Sequence, residues 1–280
     1  AGRRHQGRAG GARPPGRGRD HPRDAGVISG IDHLVIAVDD PDGAAEAMEA
    51  DLGLAVSGGG RHEGAGTHNR LAFLGDTYLE LIGVYDRAMV AASPSSAVGQ
   101  ATLRVLDEGR EGLATYALVT DDAAAEVARL RSLGSPIGDA SPGSRTRPDG
   151  EVVRWVCAFP DLGPAEPPFL IEHEPGGAEW GAEARQARAA FRHPVGGTVR
   201  LAGLAIPVPD PGEVAARYRR VLGLELGADR RALVGNQGIR LVSREEAPRP
   251  VVELAAEPGT EPLDLVRFGI RWRRRPASAA

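Results

Sequence analysis

A strand, a helix and three further strands recur along this chain, and the recurrence restricts the fold more than any other feature. Its first copy runs IDHLVIAVDDPDGAAEAMEADLGLAVSGGGRHEGAGTHNRLAFLGDTYLELIGVYD, from Ile31 to Asp86. Ile31 to Val38 is almost continuously apolar, as a strand covered on both faces requires. Asp40 can cap a helix and Pro41 fits a first helical turn. The helix is expected from about Asp42 to Asp51, with Ala44, Ala45, Met48 and Leu52 inward and Gly53 closing it. Strands are expected at Leu54 to Ser57, Asn69 to Leu74 and Thr77 to Val84, the last two joined by a two-residue turn at Gly75-Asp76. Between the first two, GGGRHEGAGTHN reads as a glycine-rich loop that either brings backbone close to a ligand or simply turns.

The opening returns twice. ATYALVTDDAAAEVARLRSLG repeats the strand, the Asp pair and the helix. GLAIPVPDPGEVAARYRRVLGLEL then aligns with HLVIAVDDPDGAAEAMEADLGLAV without a gap, Gly203 falling on His33. Strands at about Val152 to Ala158 and Phe169 to Glu174 complete the second unit. Three copies of one β-α-β-β-β unit predict an α+β protein. The domain boundaries that follow are a disordered Arg/Gly/Pro-rich leader over 1–26, a paired-unit domain over 27–175, a linker over 176–198, a degenerate third unit over 199–273 and a solvated tail over 274–280.

Composition narrows the function classes. At 280 residues and 41% apolar, the chain can bury a substantial core. A net charge of -4 supplies no field for nucleic acid or an anionic membrane, although every basic residue is Arg. No apolar run approaches the length of a membrane helix. The single cysteine, Cys157 in WVCAF, excludes an internal disulfide and reads as a small core residue of a cytoplasmic protein.

Two polar residues stand inside apolar strands of the first unit, His33 and Glu80. Burying them without partners costs several kcal/mol, so chemistry is expected there. Strand alternation places His33 with Val35 and Ala37, and Glu80 with Tyr78 and Ile82, on the faces away from the helix.

The duplicated unit, with His on its first strand and Glu on its last, resembles the vicinal oxygen chelate superfamily. Within it, GGRHEGAGTHN followed by TYLELIGVYD is similar to the glyoxalase-like domain. The resemblance covers about Ile31 to Pro175 and returns weakly after Val199. It implies two units curled into a mixed-sheet half-barrel, with metal ligands on the first and last strand of each. Carried onto this sequence, it implies His33, Glu80 and Glu172 as ligands of a divalent ion such as Zn, Mn, Ni or Fe. Thr115 stands where the second unit would repeat His33, a departure from the full set of four.

His62 or His68 could supply a further ligand. His62 and Glu172 are candidates for moving a proton, and His68, Asn69, Arg70, Thr115, Arg154 and Trp155 for lining a substrate pocket. Arg70 or Arg154 could equally neutralise Glu80, and Arg154 could pair with Glu172 or bind a substrate carboxylate. Two functions remain open. One is a metal-dependent lyase, isomerase or dioxygenase acting on a small substrate with vicinal oxygens. The other is a metal-free protein that binds or sequesters a small molecule.

In the third unit Gly203 and Arg240 replace the His33 and Glu80 positions, so no metal site is expected there. Its exposed sheet is expected to be closed by strands at Val251 to Ala255 and Leu265 to Ile270, or by a second copy of the chain. A monomer is the default expectation and a homodimer the alternative.

Overall fold

The computed structural model describes residues 27–92, 97–160 and 168–276; the leader expected to be disordered, 1–26, lies outside them. The first unit comprises β1 (Gly30–Ala37), α1 (Pro41–Leu52), β2 (Gly58–His62), β3 (Thr67–Leu74) and β4 (Thr77–Val84). Helices α2 (Arg87–Ala92) and α3 (Ala97–Asp107) follow. The second unit is β5 (Gly112–Val119), α4 (Ala123–Ser132), β6 (Ser141–Thr146), β7 (Val152–Ala158) and β8 (Phe169–His173). Helices α5 (Gly177–Trp180) and α6 (Ala182–Ala189) lead to the third unit: β9 (Val199–Val208), α7 (Pro211–Leu222), β10 (Arg231–Val234) and β11 (Gln237–Ser243). Three strands end the described chain, β12 (Val251–Ala256), β13 (Leu263–Arg267) and β14 (Ile270–Pro276). None of the described helices is long and apolar enough to cross a membrane.

The signals read from the sequence act as expected at α1. Asp40 accepts from the Asp42 amide, Pro41 occupies the first turn, and Gly53 ends the helix at φ 66°. Helix α7 repeats the device with Asp210, Pro211 and Gly223 at φ 65°. Left-handed φ favours glycine because a Cβ would crowd the carbonyl.

The first two units form one closed barrel in the order β1-β4-β3-β2-β6-β7-β8-β5. Strands β1 and β5 run antiparallel at its centre, each with a parallel neighbour, β4 and β8. The α+β class and repeated units are as expected, but the curl goes beyond a half-barrel, because β2 meets β6 at Arg61 and Thr146. The segment GGGRH, expected to be loop, is the strand that closes it. A Cβ on Gly59 would lie 2.2 Å from the Asn69 carbonyl oxygen, and one on Gly60 2.2 Å from that of Thr146. Gly59 lets β2 approach β3, and Gly60 lets it approach β6 at the seam.

The outward face of the barrel strands and the α7-covered face of the last sheet share one core. Leu34, Ile36, Met48, Leu79 and Leu118 belong to it together with Tyr218, Leu241, Leu254 and Trp272, all nearly or fully buried. Each such side chain contributes about 1.5–3 kcal/mol on leaving water. Gln237 spans the junction, accepting from the Ile31 amide at 2.7 Å and donating to the Ile31 carbonyl and the Thr77 hydroxyl.

The six-stranded second sheet has the order β10-β11-β9-β12-β14-β13. Its end differs from expectation. The stretch expected as one strand, Leu265 to Ile270, turns at Phe268-Gly269 and splits between β13 and β14. The start of the tail expected to be solvated from 274 is instead the end of β14, with the Arg274 guanidinium donating to the Leu52 carbonyl, next to the fully buried Trp272.

Candidate functional site

Inside the barrel, seven polar side chains from five strands form one connected run. His33 and Glu80 face one another as expected, with His33 Nε2 3.6 Å from Glu80 Oε2. His62, at the end of β2, brings its Nε2 to 3.8 Å from Glu80 Oε1. Both separations are ion-pair rather than hydrogen-bond distances. Asn69 holds the carboxylate from the side, donating to Oε1 at 2.5 Å. Behind His62, Nδ1 meets the Thr67 hydroxyl at 2.8 Å.

Behind His33 stands Asp32, which alternation would have turned outward. The ladder between β1 and β5 slips between Ile31 and His33, so Asp32 is an extra residue in a bulge. Its carboxylate therefore reaches the same interior as His33, accepting from Nδ1 at 2.6 Å. It also accepts from His173 Nε2 at 3.0 Å. Burial opposes ionisation of Asp32, but the charge and hydrogen bonds of His173, with those of His33, prevail and hold the carboxyl well below the usual range. An ionised carboxylate only accepts, which fixes the protons on His33 Nδ1 and His173 Nε2. Burial pushes His62 below its ordinary value, against the opposing pull of Glu80, so its imidazole is neutral at neutral pH.

Aromatic rings line the run. Tyr78 stacks on His33 at 4.4 Å and Phe169 meets its edge. Trp155, an expected lining residue, stands edge-on to His62 at 6.0 Å. Trp180 of α5 covers one end of the run, stacked on His173 at 3.6 Å. A buried ion pair fixes α5 there: Arg145 reaches both oxygens of Glu179 at 2.7 and 2.8 Å and donates to the Gly59 carbonyl. Two buried acceptors of the network have no protein partner, Asn69 Oδ1 and His173 Nδ1.

Several expected residues lie elsewhere. Glu172 caps α4, accepting from the Ala123 amide at 2.9 Å, because on β8 it is His173 that points inward. Phe169 lies beside Ala117 on β8 as Glu80 lies beside Val35 on β4, so the second unit presents a ring in the carboxylate's place. Arg154 is exposed, since Val153 and Trp155 take the inward positions of β7. Arg70 points out to Asp42 at 2.5 Å, and His68 stacks on Tyr85 outside the network. Thr115 is half-buried opposite Val35. Cys157 is buried, and burial pushes its thiol well up, as for a core residue. Asp32, Arg145, His173 and Glu179 were missed. His173 in LIEHE carried a signal, but the register needed to read it did not.

The expected metal set is not assembled. His33 and Glu80 meet, but Glu172 is on the other side of its strand, and among the described residues no group of three or more His, Cys, Asp or Glu is arranged to hold a metal ion.

The glyoxalase-like domain model matches residues 31–222, more than half of the chain. The chain belongs to the glyoxalase-like domain family. It is accordingly a member of the vicinal oxygen chelate superfamily. Among solved structures, a hypothetical protein from Staphylococcus aureus is similar at 17% identity and TM-score 0.73, covering 89% of this chain and 100% of its own. At that identity the likeness speaks for fold alone, and it extends through the second sheet. Methylmalonyl-CoA epimerases match less of the chain. The Streptomyces coelicolor enzyme covers 52% of this chain and 97% of its own at 24% identity and TM-score 0.39. The Mycobacterium tuberculosis enzyme covers 57% and 95% at 21% identity and the same TM-score. No curated protein matches the sequence.

Proposed function

We propose that this glyoxalase-like protein is a metal-free lyase or isomerase that moves a proton on a small substrate bearing adjacent oxygens. The observation that supports it most is the placement of Glu80 between two imidazoles, each oriented from behind, by Asp32 for His33 and by Thr67 for His62. Structural polar groups in a core satisfy one another fully, yet Asn69 Oδ1 and His173 Nδ1 remain open acceptors. A ligand carrying hydroxyl groups would complete both.

In this reading Glu80 is the base. It takes a proton from the carbon beside a carbonyl, and the C–H pair becomes a C=C bond while the carbonyl π pair moves to oxygen. His62, neutral and with Nδ1 accepting from the Thr67 hydroxyl, carries its proton on Nε2 and donates a hydrogen bond to that oxygen. Return of the proton to the carbon, on either face, completes an isomerisation; expulsion of a neighbouring leaving group completes a lyase reaction. Because Glu172 caps α4 instead of joining the donors, no step is assigned to a metal.

The test is exchange. In D2O, wild-type protein should catalyse loss of the C–H signal of at least one compound in a panel of 2-hydroxycarbonyl and 1,2-dicarbonyl molecules. Glu80→Gln should lower that rate by about 10²–10⁴-fold. No exchange across the panel would overturn the reading, and so would a full equivalent of Zn, Mn, Ni or Fe in protein purified without chelator.

A sequestering protein is the second reading, favoured by Trp180 and the Arg145–Glu179 pair sealing one end of the barrel. On that reading His33→Ala leaves ligand-induced quenching of tryptophan fluorescence intact.

A further inference from the structure

The second sheet repeats the plan of the barrel. Strands β9 and β12 run antiparallel at its centre as β1 and β5 do, and each has a parallel neighbour, β11 and β14, as β1 has β4 and β5 has β8. The register carries over: His33 lies beside Tyr78 in the barrel, and Gly203 beside Gly238 here. Strands corresponding to β2 and β6 are missing, so the face that would be a barrel interior stays open. It forms a cleft of about 550 Å³.

The floor of this cleft is emptied and its charge inverted. Both central side chains are reduced to glycine. A Cβ on Gly238 would lie 2.8 Å from Arg231 Nη2, so the missing side chain is what lets that guanidinium lie across the floor. Arg240 stands at the register position of Glu80, beside Ala205 as Glu80 is beside Val35. Arg249, Arg271 and Arg273 also line the cleft, against Glu246, Glu253 and Asp264. Arg240 pairs with Glu246 at 2.7 Å, and Asp264 is shared by Arg271 and Arg273 at 2.6 and 3.5 Å. Five guanidiniums facing three carboxylates leave two positive charges in excess.

We propose that this cleft is a second ligand site, separate from the barrel network, and that it binds a small molecule bearing phosphate-type oxyanions. Guanidiniums present paired N–H donors that match such an anion in charge and geometry. A second copy of the chain is the less suitable occupant, because two such faces would bring like surpluses together.

Isothermal titration calorimetry of the full chain with inorganic pyrophosphate at low salt tests this. The expected result is saturable binding at one site, weakened as salt rises. Arg231→Ala and Arg240→Ala should each weaken it about tenfold, the loss of one charge-assisted contact. Gly238→Ala should weaken it with Arg231 still in place, which a general charge effect would not do. Arg231 and Arg249 are exposed, so Arg249→Ala serves as the readout if a strand variant fails to fold. Absence of saturable binding would overturn the proposal, as would unchanged affinity in Arg231→Ala. Sedimentation showing a dimer that Arg231→Glu dissociates would also overturn it and assign the face to a second copy.

Discussion

The barrel and the open sheet share one plan of strand pairing and differ in what their inward faces carry. In the barrel, closure by β2 and β6 removes water, and every charge inside stands within reach of a partner: Asp32 between two histidines, Glu179 against Arg145. In the open sheet no strand closes the face, and arginines stand there half in water. The lesson is that outward positions, Leu34 and Leu79 in one and Leu204 and Ile239 in the other, preserve the fold. Inward positions are free to change chemistry once their solvent exposure changes.

That contrast can be broken at several points. The largest effect should come from ending the chain at Thr198. If the two regions share one core, the barrel loses its cover over Leu34 and Leu79, and urea should show no cooperative transition; a sharp one would make the barrel independent. Asp32→Ala comes next. It strips the partner from two buried imidazoles and should cost about 3–5 kcal/mol in urea unfolding, the usual penalty for breaking a buried pair. Gly60→Ala attacks closure itself at φ 154° and should cost at least about 2 kcal/mol, whereas Gly203→Ala, 3.0 Å from the Gly238 carbonyl oxygen, should cost less.

Acid sharpens the comparison further. His62 is buried with a depressed pKa, so below its ordinary value of 6.5 the unfolded chain binds a proton that the folded chain refuses. Stability should therefore fall as pH drops below that value, and less so in His62→Gln, measured by thermal midpoint. Asp32 acts in the same direction further down: its depressed pKa gives stability present above the ordinary carboxylate range and lost as pH falls through the folded value. The smallest effect is expected for Arg271→Ala in the open cleft, whose exposed pair with Asp264 should leave the urea midpoint unchanged.

The repeats, the capping residues and the inward placement of His33 and Glu80 were legible in the sequence because they rest on local rules: alternation along a strand, Asp-Pro before a helix, Gly after it. These rules hold where the strand is regular. They fail one residue at a time, at the slip that turns Asp32 inward and at the register of β8 that sends Glu172 to cap α4 and brings His173 to the network.

The sequence by itself determined the unit, its copies and the two misplaced polar residues. Tertiary structure decided everything that depends on strands far apart in sequence meeting: that GGGRH is a seam and not a loop, that His62 faces Glu80, that Glu179 and Trp180 close a barrel end, and that the last arginines form a strand. The physical reason is that alternation is a property of one strand, whereas register and closure are fixed by pairing between strands, where a single bulge moves a carboxylate from one face to the other.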